Sequence, residues 1–310
     1  MKRKEKIGIW MICLIWVLVA GCSHSEDDDV VPVNKDVKTR LLTFTQVENR
    51  GSRAVLNEDA ENGLKALWKR GDQLECCNLS TLEYDIYVFG RISTGTLTTQ
   101  DDGVTSIFQG EMTCEQNNQL AVIYPATDFD YELKSGECFA KYTIILSEQD
   151  GTLETLANSY HYMYGVATVN SVTSSMAEAT GEMKSLLAVC KFSFKDENNN
   201  GISVKELEIS YVYDGSGGNR HIYPQVATVK CNENGYSITP DTSNDNAEVN
   251  NPLKIVLNSA ANDVYVALLP VTTRTFRFNV TDANGGTYTG KAMATLQAGE
   301  YVVASLPVKN

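Results

Sequence analysis

Much of the chain alternates apolar and polar residues in short segments that turn residues separate. Between residues 186 and 194 every second residue is apolar and defines one face, namely Leu186, Ala188, Cys190, Phe192 and Phe194. A period of two is that of a β-strand with one face buried. Turn signals such as residues 196–201 and 282–286 recur at spacings of about 8 to 15 residues, which favours antiparallel sandwiches over a parallel α/β sheet. The chain is therefore predicted to be all-β.

Other segments have the same character, and none has the pattern of a long amphipathic helix. The first strand candidate, residues 40–48, places Leu42 and Phe44 on one face and Leu41 and Val47 on the other. The remaining candidates are residues 84–89, 104–108, 120–124, 139–146, 207–213, 253–257, 264–269, 276–281 and 301–306.

The N-terminus has the layout of a secretory leader. A basic start precedes an apolar run of fourteen residues, 7–20, which is shorter than the roughly 17 to 25 residues of a membrane-spanning helix. Ala20 and Gly21 directly before Cys22 resemble the lipobox of bacterial lipoproteins. That resemblance implies a signal peptide at residues 1–21 and lipid on Cys22. The alternative is an ordinary signal peptide in which Cys22 is incidental.

Residues 22–39 form a polar tether that contains an acidic run at residues 26–29. An acidic run after the lipidated cysteine resembles the surface-export signal of lipoproteins in the Bacteroidetes. It implies a body that is displayed outward from the outer membrane, the alternative being a solvated spacer.

The composition is that of a globular, acidic protein. The net charge of −13 argues against nucleic acid or anionic lipid as a partner. A hydrophobic fraction of 43%, with 15 Tyr and 22 Gly, suits pleated strands joined by turns. Because residues 153–181 are rich in Ser, Thr, Ala and Met, we place a domain boundary near Gly181, which gives β-sandwich domains at residues 40–180 and 181–310.

Six cysteines lie in the predicted body, and their pairing stays open because six cysteines allow 15 connectivities. Cys76 and Cys77 are adjacent in a predicted strand, so their side chains point to opposite faces. We interpret most of these thiols as small buried hydrophobic groups. No metal site or cofactor is predicted, because no C-x-x-C pair occurs and the histidines are isolated. The six cysteines are Cys76, Cys77, Cys114, Cys138, Cys190 and Cys231.

No motif of a known catalytic site occurs: the chain has no G-x-S-x-G, no H-E-x-x-H and no phosphate-binding Gly-Lys loop. Its many carboxylates leave a glycosidase pair open, without evidence for one. Tyr160, Tyr162 and Tyr164 are alternately spaced, so they would form a sugar-stacking strip if exposed. Packing in the core or at an interface is the favoured interpretation of these tyrosines. We predict no catalytic residues.

Four stretches together resemble the fimbrillin family, the lipoprotein-derived pilus subunits of Bacteroidetes. They are W-K-R-G-D-Q-L at residues 68–74, A-V-I-Y-P at 121–125, the strand at 187–194 and the hairpin at 287–308. The resemblance implies two transthyretin-like antiparallel β-sandwich domains in tandem. It also implies assembly with other pilus subunits by strand donation, in which a protease cuts after an arginine, the first strand leaves, and a neighbour's strand fills the groove.

Within this pattern, Arg40, Arg50 and Arg53 are the candidate cleavage positions. The closing strand ends at residues 307–310 with no evident further strand to donate, which favours an anchor, tip or accessory subunit and leaves open that the first strand stays permanently in its sheet. The predicted function is a structural or adhesive component of a cell-surface pilus, anchored in the outer membrane by lipid and in contact with a host or bacterial surface. The alternative is a glycan-binding outer-membrane lipoprotein, and a hydrolase ranks third.

Overall fold

The computed structural model describes residues 38–46, 55–59, 63–81, 93–103, 106–127, 130–134, 137–215, 218–242 and 251–310. Most of them are in strands, so the all-β prediction is confirmed. The strands are β1 (Thr39–Gln46), β2 (Val55–Asp59), β3 (Gly63–Leu67), β4 (Gln73–Asn78), β5 (Thr94–Thr99), β6 (Ile107–Thr113), β7 (Gln119–Tyr124), β8 (Asp130–Lys134), β9 (Glu137–Ile145), β10 (Met163–Val172), β11 (Met176–Ser185), β12 (Ala188–Lys195), β13 (Val204–Gly215), β14 (Gly218–Ile222), β15 (Val226–Asn232), β16 (Gly235–Pro240), β17 (Leu253–Ala261), β18 (Asp263–Leu268), β19 (Val271–Asp282), β20 (Thr287–Leu296) and β21 (Tyr301–Pro307). Helical segments in these ranges are short: Leu79–Thr81, Leu153–Thr155 and Leu156–Tyr160.

The N-terminal strands close into a barrel in the order β1-β11-β10-β7-β4-β5-β6. β1 runs parallel to β11 on one side and antiparallel to β6 on the other. The strands expected to form an N-terminal sandwich thus form a closed ladder. Closure occurs because β1 pairs with both β6 and β11, which would otherwise be edge strands. Among the described strands of this barrel, closure leaves no unpaired sheet edge.

Adjacent residues of β4 and β7 belong to two different hydrophobic cores. Cys76 and Val122 point into the barrel, whereas Cys77, Ala121 and Ile123 belong to a larger core outside it. The two cysteines therefore point to opposite faces, as their adjacency predicted. The wall formed by β4 and β7 is buried on both sides.

The C-terminal strands form two sheets that pack against each other. One has the order β18-β12-β21, and the other has the order β14-β13-β19-β20 with β17 also paired to β13. The ring centroids of Phe192 on β12 and Phe278 on β19 lie 5.2 Å apart. The predicted inward face of residues 186–194 is confirmed as buried. Leu187 and Val189, which alternation placed on the opposite face, are buried as well, because the larger core covers both faces at the start of β12.

A further sheet joins strands from both predicted domains. It has the order β16-β15-β9-β8, in which β9 pairs antiparallel with β15. Gln149 adds a second link, because its Oε1 accepts from the Ala267 N–H at 2.7 Å and its Nε2 donates to the Ala267 carbonyl at 3.1 Å. The boundary near Gly181 stays a prediction. Strands on either side of it are hydrogen-bonded to each other.

The predicted signal peptide at residues 1–21, Cys22 and the predicted tether as far as residue 37 lie outside the described residues. In the part of the chain that the structure does describe, no helix is both long and apolar enough to cross a membrane.

Candidate functional site

The first strand, β1, lies inside the barrel wall with its side chains in strict alternation. Arg40, Leu42, Phe44 and Gln46 point inward and are buried. The prediction of a first strand at residues 40–48 is confirmed over the described part, and Val47 and Glu48 lie outside the described residues. β1 contributes two apolar side chains between two polar ones to the barrel interior.

The apolar part of β1 packs on a group of aromatic rings. The rings of Phe44 and Phe108 lie 6.0 Å apart. Trp68 meets Phe108 edge to face at 4.8 Å and Tyr124 at 5.1 Å, a geometry that aromatic quadrupoles favour. Trp68 is among the largest fully buried side chains.

At the C-terminal end of β1, Gln46 provides a hydrogen-bond acceptor for the indole N–H of Trp68. The indole Nε1 of Trp68 donates to the Gln46 side-chain carbonyl at 2.7 Å. A buried indole N–H without an acceptor would cost about 1 to 3 kcal/mol. A polar residue is therefore required at the last inward position of β1.

The other end of β1 carries Arg40, whose guanidinium is enclosed by acceptors. Nε donates to the Thr173 carbonyl at 2.7 Å, and Nη1 donates to the carbonyls of Lys38 and Cys114. Nη1 and Nη2 also bind the two carboxylate oxygens of Glu115 at 2.9 and 3.0 Å. A bidentate pair of this kind is a strong, directional contact.

Two turns hold these acceptors in place. Glu115 follows β6, and its N–H donates to the Asn118 side chain at 2.9 Å. Asn118 in turn accepts from Asn78 at 2.8 Å. Thr173 lies in the turn between β10 and β11, where its hydroxyl accepts from the Met176 N–H at 3.0 Å. The hydrogen bonds from Arg40 lower the pKa of Glu115 below its ordinary value, so the carboxylate stays charged.

Of the three candidate cleavage positions, the structure describes only Arg40. Arg40 is buried in β1, with only 6% of its side chain exposed. Arg50 and Arg53 lie outside the described residues, as does Cys22. Cleavage after Arg40 would leave residues 41–46, and hence most of β1, attached to the body.

The three alternately spaced tyrosines do not form an exposed strip. Tyr160 and Tyr164 are buried, and Tyr162 is half-buried. The Tyr160 hydroxyl donates to the Ser147 carbonyl, and the Tyr164 hydroxyl donates to the Asn232 carbonyl at 2.6 Å. Burial raises the pKa of Tyr160 to about 12. The favoured interpretation of these residues as core packing is confirmed.

The cysteines whose side chains the structure describes are buried, as predicted for most of them. Burial raises the pKa of Cys190 and of Cys231 to about 12. The side chain of Cys138 lies outside the described ones. Among the described residues, no group of three His, Cys, Asp or Glu is arranged to hold a metal ion. The five buried residues are Cys76, Cys77, Cys114, Cys190 and Cys231.

Arg40 and Gln46 were not identified from the sequence as buried polar residues of β1. Arg40 and Gln46 share the phase of Leu42 and Phe44, so the alternation already placed two polar side chains on a buried face. That pattern signals buried polar groups with partners. It gave no sign of Glu115, which is 75 residues from Arg40 in the chain.

No protein-family model matches the chain, and no curated protein matches its sequence. Solved structures do match. A "putative cell adhesion protein" from Bacteroides uniformis ATCC 8492 superimposes with a TM-score of 0.53 at 14% identity, over 88% of this chain and 93% of that chain. A second protein of that description, from Bacteroides ovatus ATCC 8483, gives 0.52 at 11% identity, over 87% and 92%. The chain shares its fold with these two Bacteroides proteins. The fold is thereby shared with proteins from Bacteroides, the bacterial group to which the sequence resemblance pointed.

Proposed function

We propose that the protein is a structural or adhesive component of a cell-surface pilus, of fimbrillin type, in which β1 is a removable strand. One observation carries the proposal: β1 is a separate first strand that closes the barrel between β6 and β11. The shared fold with Bacteroides adhesion proteins supports it.

Loss of β1 would open a long groove in the barrel. The edges of β6 and β11 would each expose a row of backbone donors and acceptors, because β1 pairs with β6 over residues 39–45 and with β11 over residues 41–46. The places of Leu42 and Phe44 in the barrel core would be empty. Each of these two side chains contributes about 1.5 to 3 kcal/mol when fully buried. Such a groove would bind a strand from a neighbouring subunit by main-chain pairing.

The geometry favours cleavage after Arg50 or Arg53 over cleavage after Arg40. A protease must take the arginine side chain into its own pocket, and Arg40 is held by three carbonyls and a carboxylate. Cleavage there would also leave Leu42 and Phe44 in the groove. Cleavage after Arg50 or Arg53 removes all of β1 and also separates the body from Cys22.

The anchoring and the domain organisation complete the proposal. Cys22 carries lipid, the acidic tether exports the body to the outer surface, and residues 40–180 and 181–310 are tandem transthyretin-like domains. Metabolic labelling with a palmitate analogue tests the first point, since Cys22→Ala should remove the label. Equal labelling of this variant would contradict lipidation.

The protein acts without catalysis, through other pilus subunits and a surface ligand. Burial of Tyr160 and Tyr164 gives the alternative of a glycan-binding lipoprotein no support from these residues.

A disulfide that fixes β1 to β6 tests strand exchange. Thr43 and Gln109 are directly opposite each other on these strands, and the Gln109 side chain donates to the Thr43 hydroxyl at 3.2 Å. Facing positions of this kind are within reach of a disulfide. The variant Thr43→Cys/Gln109→Cys should fail to enter pili when oxidised and should enter them after reduction.

The matched control is Ser171→Cys/Glu178→Cys, which joins β10 to β11 at another pair of facing residues. This control leaves β1 free, so it should assemble in both redox states. Assembly of the oxidised β1–β6 variant at the rate of the unmodified protein would contradict the proposed function.

A further inference from the structure

We infer that the groove left by β1 selects strands with a cationic residue at one end, two apolar residues in the middle and a hydrogen-bond-accepting side chain at the other end. This inference rests on the proposed function, since it describes what the opened barrel accepts.

The cationic end follows from the acceptors that Arg40 would leave behind. The carbonyls of Cys114 and Thr173 and the carboxylate of Glu115 stay with the barrel when β1 departs. An occupant with an apolar residue at this position would leave the Cys114 carbonyl, whose contact with Arg40 is buried, without this donor, and would leave the Glu115 carboxylate without its cation, both of which are costly. An arginine restores every contact, and a lysine restores the charge but not the bidentate geometry.

The accepting end follows from Trp68. Its Nε1 donates to Gln46, and the indole is buried between Phe108 and Tyr124. An occupant with an aliphatic residue at the Gln46 position would leave this N–H without that acceptor. A Gln, Asn, Ser or Thr side chain at the position would supply one.

The spacing between the two ends sets a readable pattern. Because inward residues alternate, the preferred strand reads cation, any, apolar, any, apolar, any, acceptor, as in residues 40–46 of this chain. These seven residues span about 20 Å of extended chain. A strand in the reverse direction would bring its cation to the indole N–H and its acceptor to the carbonyls, so the pattern also selects the direction.

Competition between synthetic strands measures the preference. A specific protease site is placed between residues 47 and 54 of the mature chain, and the chain is cut there with that protease. The cut chain is then unfolded and refolded with an equimolar pair of peptides. Native mass spectrometry then counts which peptide occupies the barrel. The peptides carry residues 38–46, either unchanged or with Arg40→Lys, Arg40→Met or Gln46→Leu.

The matched control exchanges the order of Arg40 and Leu41 in the peptide. Its composition and net charge are unchanged, but its cation faces the exposed side, where Leu41 is 41% exposed. This peptide separates the defined site from general attraction to an acidic protein.

The unchanged peptide should outcompete Arg40→Met and the exchanged-order peptide by between about tenfold and a hundredfold, because an ion pair with one buried partner is lost. Arg40→Lys should rank between them, and Gln46→Leu should compete about tenfold less well. In a Glu115→Gln receptor the penalty for Arg40→Met should shrink. Equal incorporation of the unchanged and exchanged-order peptides, within about threefold, would overturn the inference while leaving strand exchange intact. Failure of even the unchanged peptide to enter the refolded barrel would contradict strand exchange itself.

Discussion

The contact between Arg40 and Glu115 gives a prediction whose size the structure fixes. Arg40 is 6% exposed and Glu115 is 37% exposed, and their bidentate pair ties the start of β1 to the turn after β6. Glu115→Gln keeps the shape of the side chain and one acceptor oxygen. It removes the negative charge that faces a buried guanidinium.

The expected loss lies between two limits. Removing one member of a fully buried ion pair costs about 3 to 5 kcal/mol, whereas a solvent-exposed pair contributes about 0.2 to 1 kcal/mol. Solvent reaches the carboxylate, and Arg40 keeps its bonds to the carbonyls of Thr173 and Cys114. We therefore expect Glu115→Gln to lower the free energy of unfolding by about 1 to 2 kcal/mol at pH 7.

The pH dependence provides an independent check. Arg40 lowers the pKa of Glu115 below its ordinary value of 4.5. The folded state therefore holds this carboxylate ionised at a pH where the unfolded chain has begun to protonate it. The stabilisation is complete above pH 4.5 and is lost as the pH falls through the lowered pKa. The difference between the unmodified protein and Glu115→Gln should shrink below that pH.

Urea unfolding at pH 7 and at lower pH measures both effects. The control is Glu206→Gln, whose partner Lys254 is 53% exposed, so its loss should stay within about 0.5 kcal/mol. A Glu115→Gln variant as stable as the unmodified protein at pH 7, or a difference that does not change with pH, would refute the account of the Arg40 site.

Further expectations concern Gln46, His161 and the buried thiols. Gln46→Ala should lower the free energy of unfolding by about 1 to 3 kcal/mol, because the Trp68 N–H loses its acceptor. Its control, Thr45→Ala at an exposed position, should change that free energy by less than about 0.5 kcal/mol. Urea unfolding measures both variants, and equal losses would contradict the buried contact. His161 is buried with no hydrogen-bond partner for Nδ1 among the described residues, and burial lowers its pKa from 6.5 to about 4. As the pH falls from 6.5 towards 4 the unfolded chain takes up a proton that the folded state excludes, so stability should fall by up to about 1.4 kcal/mol per pH unit. His161→Phe should remove this component of the decrease, and identical pH profiles for the two proteins would disprove it. With Cys22 and Cys138 replaced by Ser, the five buried thiols should react with Ellman's reagent only at the rate of unfolding; rapid reaction of the folded protein would contradict their burial.

Much of the strand content was readable in the sequence because the period of two is local. Leu42 with Phe44, Cys76 opposite Cys77, and the apolar face of residues 186–194 were all predicted from alternation alone and are buried as expected. The fold class follows from such segments and their turns.

Pairing between strands was not readable in the same way. Nothing near residues 39–46 indicates that β1 lies between β6 and β11, because this pairing depends on contacts far apart in the chain. The pairing of β9 with β15 likewise joins residues on both sides of the predicted boundary. Composition suggested that boundary, but composition carries no information on which sheet edges meet.

The polar ends of β1 were predictable only in part from the sequence. Their phase alone shows that Arg40 and Gln46 are inward-facing, which argues against Arg40 as a cleavage position. Their partners, Glu115 and Trp68, could be found only in the structure.

Mass spectrometry of the mature N-terminus in assembled pili tests the central claim, that β1 is removed to open the barrel, most directly. The account predicts N-termini that follow Arg50 or Arg53, with residues 22–50 absent from the fibre. Chains that begin at Cys22 throughout the assembled material would contradict it and would make β1 a permanent part of the barrel.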